Sequence, residues 1–559
     1  MSLFLSHPTV KLRAQRFIPL RGKNFDVRIN GELARLANIS ESGLGCYVAQ
    51  PNVDDVQTAS VDLLVEGEPL SVGSARLARV EAPTPGHPFE TLLGFAFDRE
   101  RPDLIGHLLE FLDLPGRSEP ETDAEMDEEE SCPSSRTLDQ FYETPSDDVF
   151  AKCNQFQTWV QAMHRRGYYQ RFYRVTLDGP IDSRVHVRGP TRGTKKSLIC
   201  FDSNSYLGLH LHPKVLESVQ AATREFGYGT PSAQLLCGTN RPLRELEETL
   251  AEFHEREAVM VFPSGFAANA GTIRALVRGN DALFRDQHAH ASIQEACRAA
   301  GAKRSKVFAH NDVAYLERML AHADKLECDA KLVVTDGVFS MHGELAPLPE
   351  MLAVCRKYKS RLMVDDAHGV GVIGREGRGV EEHFGLTGEV DVLMGTLSKA
   401  IGAVGGYVAG SHELIDYLRF YAPSGFFTTS LPAPICAGAK TALELIRAEP
   451  EHRARLWHNI RRFVPQLKAA GLHVSEAVSP IVTVFVGKQE TLWKVSHELF
   501  DAGIKCGNVA YPAVPRNGAI LRLTINARHT DEDIDFAAEV LARIGAKYGI
   551  NHFDRAQVA

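Results

Sequence analysis

The sequence predicts an α/β protein with a mostly parallel sheet, preceded by a smaller β domain. From residue 258 to 409, short apolar runs alternate with segments that have the 3.6-residue period of amphipathic helices. Such alternation is typical of parallel strands that are connected by helices. Before residue 115, short alternating runs follow one another with turn residues between them, which indicates a small barrel or sandwich.

Composition excludes several classes of protein. The chain has 559 residues, too many for one ordinary core, with 44% hydrophobic and 24% charged residues as in soluble globular proteins. A net charge of −9 disfavours a general nucleic-acid binder. The ten cysteines form no CxxC pair, which favours reduced thiols. We therefore expect a cytoplasmic protein with no transmembrane segment and no nucleic-acid partner.

An acidic segment separates the two regions. Eight of the twelve residues from Glu119 to Glu130 are acidic, and such a segment buries too little apolar area to fold. We interpret it as a linker rather than a partner-binding acidic tail. The expected domains are a β-barrel at 1–115, a flexible linker at 116–150 and a larger region at 151–559. The larger region divides into a large domain at about 200–430 and a small C-terminal α/β lobe at about 431–553.

The individual elements follow from local patterns. In the front region we predict strands at 25–29, 34–38, 61–65 and 92–97, and a helix at 105–112. In the large domain we predict strands at 258–262, 282–284, 332–334, 362–364, 390–394 and 406–409. One helix presents Leu243, Leu246, Leu250 and Phe253 on one face. After residue 430 we predict helices at 433–446 and 451–470 and a strand at 520–525.

The most informative motif is Gly395-Thr396-Leu397-Ser398-Lys399, which closes an apolar strand. A desolvated lysine has a lowered pKa and can act as an amine nucleophile. Asp365 and His368 follow the preceding strand in Asp365-Asp366-Ala367-His368, although this stretch alone also fits a solvated loop or half of a metal site. A lysine for a Schiff base and an acid for a pyridine nitrogen together predict pyridoxal phosphate.

Two further stretches fit this cofactor. The small-residue turn at 263–269 precedes a helix, whose N-terminus suits a phosphate, although an ordinary turn explains it equally well in isolation. His290 begins another helix and could stack on the cofactor ring. His288 and His290 also resemble a metal pair, but we expect no metal site.

In chain order, these pieces form a specific series: the phosphate turn, histidine, serine, Asp-x-x-His and Thr-x-x-Lys. With the stretches at 201–209, 335–341, 427–432 and 521–524, the chain from about 156 to 548 resembles the α-oxoamine synthases, fold-type I pyridoxal-phosphate transferases. That family includes 8-amino-7-oxononanoate synthase, 2-amino-3-ketobutyrate CoA ligase, 5-aminolevulinate synthase and serine palmitoyltransferase.

The resemblance implies a role for each matching residue. Lys399 would bind the cofactor covalently and move the Cα proton, and Asp365 would pair with the pyridine nitrogen. His290 would stack on the ring, with His368 and Ser340 near its phenolic oxygen. The implied phosphate ligands are Gly265, Phe266 and Thr396, with Thr428 and Thr429 from a second subunit of a homodimer. Asn204 and Arg522 would lie near the amino-acid carboxylate, which a guanidinium fork matches.

The implied reaction is condensation of an amino acid with an acyl thioester of coenzyme A or an acyl carrier protein, usually with loss of carbon dioxide, to give an α-aminoketone. An aminotransferase of the same fold and a catalytically silent regulatory subunit are the alternatives. Three positions depart from the family pattern: Leu243 where histidine is common, Gln234 where some members have arginine, and His342 where aspartate is usual.

The front region resembles a PilZ domain, a small barrel that often binds cyclic di-GMP. Asn38, Ser40 and Gly43 fit the N-x-S-x-x-G half of its signature. Arginines for the other half, Arg13, Arg16 and Arg21, are irregularly spaced. A cyclic di-GMP site would comprise Arg16, Arg21, Asn38, Ser40 and Gly43. A barrel used only for docking or dimerisation is at least as well supported by these residues.

Overall fold

The computed structural model describes the strand backbones within residues 26–97 and the backbone of residues 138–143, 145–188, 195–326 and 328–552, with the side chains of these last four ranges apart from those of Asp139 and His552. The chain divides into two compact units, residues 1–130 and 131–559, which we describe separately.

The first unit contains a closed antiparallel barrel. Its strands are β1 (Asp26–Ile29), β2 (Glu32–Ser40), β3 (Gly43–Val48), β4 (Thr58–Val65), β5 (Glu68–Glu81) and β6 (Thr91–Phe97). They are ordered β1-β2-β3-β6-β5-β4, and β1 closes the barrel by pairing with both β2 and β4. Each of the four predicted strands lies within one of these strands, except that the first was predicted to begin one residue earlier, at position 25. β3 and β5 were not predicted, because glycines and charged residues interrupt their apolar alternation. The helix predicted at 105–112 lies outside the described residues.

The second unit contains two sheets. Its strands are β7 (Arg184–Arg188), β8 (Lys195–Phe201), β9 (Ala258–Phe262), β10 (Ala282–Asp286), β11 (Arg304–Phe308), β12 (Lys331–Asp336), β13 (Arg361–Asp365), β14 (Val392–Thr396), β15 (Gly406–Gly410), β16 (Ile481–Gly487), β17 (Ile504–Val509) and β18 (Ala519–Thr524).

The large sheet has the order β11-β10-β12-β13-β14-β15-β9, and only β15 runs antiparallel to its neighbours. This confirms the predicted mostly parallel α/β architecture. The carboxyl ends of the parallel strands meet at one edge, which is where open α/β sheets bind ligands. The strand predicted at 390–394 begins two residues later, at Val392, because Asp391 accepts a hydrogen bond from the backbone of Leu362 at 2.8 Å and pairs with Arg361.

Helices connect and cover these strands. They are α1 (Leu138–Tyr142), α2 (Ala151–Arg165), α3 (Tyr169–Phe172), α4 (Pro213–Phe226), α5 (Arg241–His254), α6 (Gly265–Leu276), α7 (Ala291–Ala299), α8 (Val313–Ala323), α9 (Leu348–Lys357), α10 (Val380–His383), α11 (His412–Tyr421), α12 (Pro423–Phe426), α13 (Ala433–Ala448), α14 (Glu451–Ala469), α15 (Gln489–Asp501) and α16 (Asp531–Tyr548).

Helix α5 shows how the sequence specifies these elements. Asn240 caps its first turn by accepting a hydrogen bond from the backbone of Leu243 at 3.0 Å. The predicted apolar face is buried, including Leu246 and Leu250. Burying each leucine stabilises the fold by about 1.5–3 kcal/mol, so the apolar stripe fixes the orientation of the helix.

The smaller sheet has the order β16-β18-β17-β8-β7. Two of its strands, β7 and β8, precede the large sheet in the chain, and β8 pairs in parallel with β17. The lobe is therefore not built from C-terminal residues alone. Helix α13, which we assigned to the lobe, packs instead against α4 and α5.

The packed second unit begins before the end of the predicted linker at residue 150. Helix α1 lies within that range, and its Phe141 is buried against Phe156, with ring centroids 5.5 Å apart. An aromatic cluster that includes Trp159 and Trp493 explains this correction, because it gives Phe141 apolar surface to cover. Among the described residues, no helix is both long and apolar enough to cross a lipid bilayer.

Candidate active site

A turn of small and hydroxylated residues lies at the carboxyl edge of the large sheet. Ser264 caps α6 by accepting a hydrogen bond from the backbone of Ala267 at 3.1 Å. A Cβ atom at Gly265 would lie 3.2 Å from Oγ1 of Thr396, and one at Gly406 would lie 2.6 Å from the backbone nitrogen of Gly265. This close approach leaves the first N–H groups of α6 beside a threonine hydroxyl, an arrangement that suits a phosphate.

Lys399 follows the turn after β14 and is largely enclosed by protein. Burial lowers the pKa of its amine to about 8, although the carboxylates of Asp365 and Asp336 act in the opposite direction. The guanidinium of Arg522 lowers the pKa further. A substantial fraction of this amine is therefore neutral near physiological pH, as a nucleophile requires.

Asp365 ends β13 and is held by two donors. Nδ2 of Asn269 donates to its Oδ2 at 2.7 Å, and the backbone of Ala367 donates to its Oδ1 at 3.1 Å. Asn269 comes from the second turn of α6, so the helix that forms the phosphate turn also positions the acid. Asp365 and Asn269 are both buried, where such hydrogen bonds fix a side chain.

Asn269 also connects the acid to His290. Its Nδ2 donates to Oγ of Ser292 at 2.8 Å, and this oxygen lies 2.7 Å from Nδ1 of His290. The backbone N–H of Ser292 also donates to Nδ1, at 3.3 Å. Since Nδ1 accepts, the proton of the neutral ring lies on Nε2. Burial lowers the pKa of His290, with a further contribution from Lys399.

A second buried carboxyl belongs to Asp336, which lies beside Asp365 in the register of the neighbouring strands β12 and β13. Burial raises the pKa of Asp336 well above its ordinary value, and the neighbouring charge of Asp365 raises it further. Oδ2 of Asp336 accepts the backbone N–H of His290 at 2.9 Å, which partly offsets these effects. Burial therefore favours the protonated form of Asp336, and this residue orients the turn that carries His290.

His368 is hydrogen-bonded to a buried tyrosine, Tyr206. Its Nδ1 is 2.7 Å from the hydroxyl of Tyr206. Burial, Lys399 and Arg522 lower the pKa of His368 well below its ordinary value, and burial raises the pKa of Tyr206 to about 12. Both groups are neutral at physiological pH. The hydrogen bond between the tyrosine hydroxyl and Nδ1 fixes the orientation of the imidazole.

Arg522 contacts both Asn204, the other predicted carboxylate-binding residue, and Ser340. Its Nε donates to the backbone carbonyl of Ser340 at 2.6 Å, and Nη1 and Nη2 each lie 3.4 Å from Oδ1 of Asn204. Arg522 reaches this position from β18 of the smaller sheet, whereas Ser340 follows β12 of the large sheet. The site therefore lies where the two sheets meet.

Three of the predicted phosphate-binding residues are exposed or half-buried. Phe266 is 45% exposed on the first turn of α6. Thr428 is half-buried and Thr429 is exposed, just after α12. At the family departures, Nε2 of Gln234 donates to the backbone of Val261 at 2.7 Å, and Leu243 is buried in the core.

The residues present fit pyridoxal phosphate. The glycine approach at 265 and 406 and the hydroxyl of Thr396 suit its phosphate, Lys399 suits its aldehyde, and Asp365 suits its pyridine nitrogen. The sequence reasoning assigned no role to Tyr206, Asn269 or Asp336. The i, i+4 spacing from Gly265 to Asn269 was an available signal, because it places both residues on one helix face.

Comparisons with known proteins agree with this site. The family Aminotransferase class I and II matches residues 196–541. 8-Amino-7-oxononanoate synthase of Thermosipho melanesiensis is 39% identical over 395 residues, 71% of this chain and 98% of that protein. 4-Hydroxy-2,2'-bipyrrole-5-methanol synthase PigH of Serratia sp. is 37% identical over 416 residues, 74% of this chain and only 63% of PigH. A solved structure of a variant of serine palmitoyltransferase from S. paucimobilis, with bound PLP–myriocin aldimine, matches with a TM-score of 0.68 and 32% identity, covering 72% of this chain and 100% of that one.

The fold and the site thus define a pyridoxal-phosphate-dependent transferase of the aminotransferase class I and II family. Within that family the chain belongs to the α-oxoamine synthases, acyltransferases that condense an amino acid with an acyl thioester. Its cofactor is pyridoxal phosphate.

Proposed function

We propose that the chain joins an amino acid to an acyl group with release of a thiol and carbon dioxide, giving an α-aminoketone. The α-carbon loses its proton and bonds to the thioester carbonyl carbon, the C–S bond breaks, and the thiol leaves with a proton. The bond between the α-carbon and the carboxylate then breaks, carbon dioxide leaves, and a proton takes its place on the α-carbon. Pyridoxal phosphate, when bound, supplies a protonated ring that withdraws electrons from that α-carbon. The observation that carries the proposal is the enclosed Lys399 amine with the pKa of about 8, beside Asp365.

Each predicted residue has a proposed task. Lys399 holds the cofactor and then moves the proton at the α-carbon, and Asp365 keeps the pyridine nitrogen protonated. The neutral rings of His290 and His368 lie against the cofactor ring and near its phenolic oxygen, respectively, where Ser340 also contributes. Their positions are supported by the hydrogen bonds from Ser292 to His290 and from Tyr206 to His368.

Substrate orientation rests on Arg522. Its Nε is committed to the carbonyl of Ser340, whereas the parallel N–H pair on the two terminal nitrogens makes only 3.4 Å contacts with Oδ1 of Asn204, which a substrate carboxylate can replace. Two parallel N–H groups match the oxygens of a carboxylate. We assign this fork to the amino-acid carboxylate, with Asn204 fixing its rotation.

The reaction is tested by product formation. Purified protein loaded with pyridoxal phosphate is incubated with glycine, alanine or serine and with acyl thioesters of coenzyme A or an acyl carrier protein. Mass spectrometry follows aminoketone and free thiol directly, because exposed Cys153 and Cys237 would react with a thiol dye. Lys399→Ala is the inactive control. Amino-group transfer without thiol release, or no product from any combination, would contradict the proposal.

A homodimer with shared sites is part of this proposal. Tyr228, Leu236 and Phe427 are 91%, 77% and 81% exposed, large values for apolar side chains near one edge of the site. Thr428 and Thr429 would bind the phosphate in the partner's site. Mixing a Lys399→Ala chain with a Thr428→Ala, Thr429→Ala chain should then restore activity, because hybrid dimers contain one intact site. No recovery after verified subunit exchange would place the threonines in their own chain's site.

For the front unit we propose a PilZ-like domain at 1–115 that binds cyclic di-GMP. The acidic segment that begins at 116 joins it to the second unit, which includes α1 (Leu138–Tyr142) and the synthase region at 151–559. Support comes from the barrel and from the strand ends at Ser40 and Gly43, which are paired in register. Arg16 and Arg21 lie outside the described residues. Calorimetric titration of the full chain should show binding that Ser40→Ala and Arg21→Ala each weaken. A wild-type protein that binds no cyclic di-GMP would leave the barrel as a docking or dimerisation module.

A further inference from the structure

A cluster of imidazoles and carboxylates lies outside the residues assigned to catalysis. His288, His310 and Glu344 each offer one ligand atom, and these atoms lie within 4.8 Å of one another. His288 follows β10, His310 follows β11 and Glu344 follows β12, three adjacent strands in the order β11-β10-β12. The cluster therefore lies at the carboxyl edge of the sheet, although its members are far apart in sequence.

A buried carboxylate organises this cluster. Oδ1 of Asp286 lies 3.0 Å from Nδ1 of His310, and it also accepts the backbone N–H of His288 at 2.7 Å. Oδ2 of the same residue accepts the backbone N–H of Asn311 at 2.9 Å. Because Asp286 is fully buried, it fixes both turns that carry the imidazoles. A carboxylate that receives Nδ1–H of a histidine is the usual outer partner of a metal-binding imidazole, since it directs Nε2 toward the ion.

The cluster brings metal-ligand side chains into contact with one another. Nε2 of His310 lies 3.0 Å from Oε2 of Glu344, and the rings of His288 and His310 are stacked with centroids 4.2 Å apart. The ring of His342 lies 6.2 Å from that of His288 and is within reach as a further ligand. His288 is exposed and the Glu344 side chain is 44% exposed, so an ion can enter and both groups can close on it.

We propose that His288, His310 and Glu344 bind a divalent transition-metal ion of the zinc class. Two imidazoles and a carboxylate are a common ligand set for zinc, with His342 or water in the fourth position. Such an ion would join the ends of β10, β11 and β12. The turn that it joins includes His290, two residues after His288. Nε2 of His310 must give up any proton that it carries when the ion binds, and that proton leaves to solvent.

A second cluster provides a matched comparison. His212, Glu449 and His452 also bring three ligand atoms within 4.8 Å. There, however, Glu449 forms an ion pair with Lys214 at 2.7 Å. A bound ion would have to displace this ammonium group, so we expect the metal to prefer the His288 cluster.

The test uses untagged full-length protein, loaded with pyridoxal phosphate and stripped of metal by a chelator. Equilibrium dialysis against zinc, counted by mass spectrometry, should give a tight site that His288→Gln and Glu344→Gln each weaken by at least about tenfold. His452→Gln is the matched control and should bind zinc as the wild type does. Cobalt provides an independent readout, because imidazole and carboxylate ligands give ligand-field bands without the sulfur charge-transfer absorption of a cysteine site.

Two results would overturn the assignment. Wild-type protein that takes up no zinc, or a His288→Gln protein that binds it as tightly as the wild type, would leave Asp286, His310 and Glu344 as an ion-paired network only. Because His288 is exposed, its replacement should leave the fold intact, which the melting temperature verifies. If His452→Gln alone loses the ion, the metal belongs to the other cluster and the proposal is wrong.

Discussion

Asn269 donates a 2.7 Å hydrogen bond to Asp365 and a 2.8 Å bond to Ser292, so one buried amide fixes both the acid and the hydrogen-bond partner of His290. The amide must present nitrogen to Asp365, because an ionised carboxylate only accepts. Helix α6, which begins at the phosphate turn, thus positions both Asp365 and the hydrogen-bond partner of His290.

Replacing Asn269 with alanine should weaken cofactor binding. The substitution leaves Asp365 with one donor fewer in a buried site, at a cost of about 1–3 kcal/mol, which corresponds to about 5–150-fold in affinity. Absorbance titration of the cofactor-free protein with pyridoxal phosphate measures the change. Asn280→Ala is the matched control, because Asn280 makes a similar 2.9 Å bond to Asp329 at the surface. Equal affinities for Asn269→Ala and Asn280→Ala would refute the positioning role.

The two adjacent carboxyls should respond differently to amidation. Burial and Asp365 raise the pKa of Asp336 and so favour its neutral form, and the neutral Asp336→Asn change should therefore alter kcat by less than about tenfold. Asp365→Asn removes the charge that we propose opposite the pyridine nitrogen, and loss of a buried ionic partner costs about 3–5 kcal/mol, or about 10²–10⁴-fold in rate. Steady-state kinetics of both variants tests this contrast, which fails if Asp336→Asn is the more damaging of the two.

The amine of Lys399 should titrate at unusually low pH in the cofactor-free protein. Its pKa is lowered to about 8, so the neutral form increases as the pH rises through that value, well before an ordinary lysine at 10.5. Acylation of each lysine is followed against pH by peptide mass spectrometry. The comparison is the midpoint rather than the absolute rate, because Lys399 is enclosed. Lys357 is the control, because a hydrogen bond from its ammonium group to Glu317 raises its pKa. A common midpoint for Lys399 and Lys357 would exclude an activated amine.

Arg522→Lys should mainly raise the KM for the amino acid. Lysine keeps the charge but loses the planar fork, and a lost charged hydrogen bond costs about 1.5–3 kcal/mol, or about 10–150-fold. Initial rates at varied amino-acid concentration give KM and kcat separately. The control is Arg528→Lys, since Arg528 pairs with Asp182 near the surface. An unchanged KM for the amino acid would remove Arg522 from the carboxylate site.

Much of the fold was predictable because strands and amphipathic helices leave local signals. The apolar run at Ala258–Phe262 and the leucine stripe of α5 correspond directly to elements of the structure. The membership of β7 and β8 in the smaller sheet was not predictable, since pairing between distant strands leaves no periodic signal. Burial of Phe141 was missed for a related reason: an aromatic cluster assembled from distant residues outweighs an acidic local context.

The sequence by itself determined the chemistry of this protein. Lys399, Asp365, His368 and the turn at Gly265 each follow a recognisable strand, and residues at strand ends remain adjacent to those strands after folding. Tertiary structure alone decided which distant side chains meet them. Tyr206 reaches His368 because the smaller sheet, whose β8 precedes Tyr206, meets the large sheet there. His310 and Glu344 approach His288 because the order of strands in the large sheet brings their ends together. That order depends on the packing of the whole domain rather than on any local pattern.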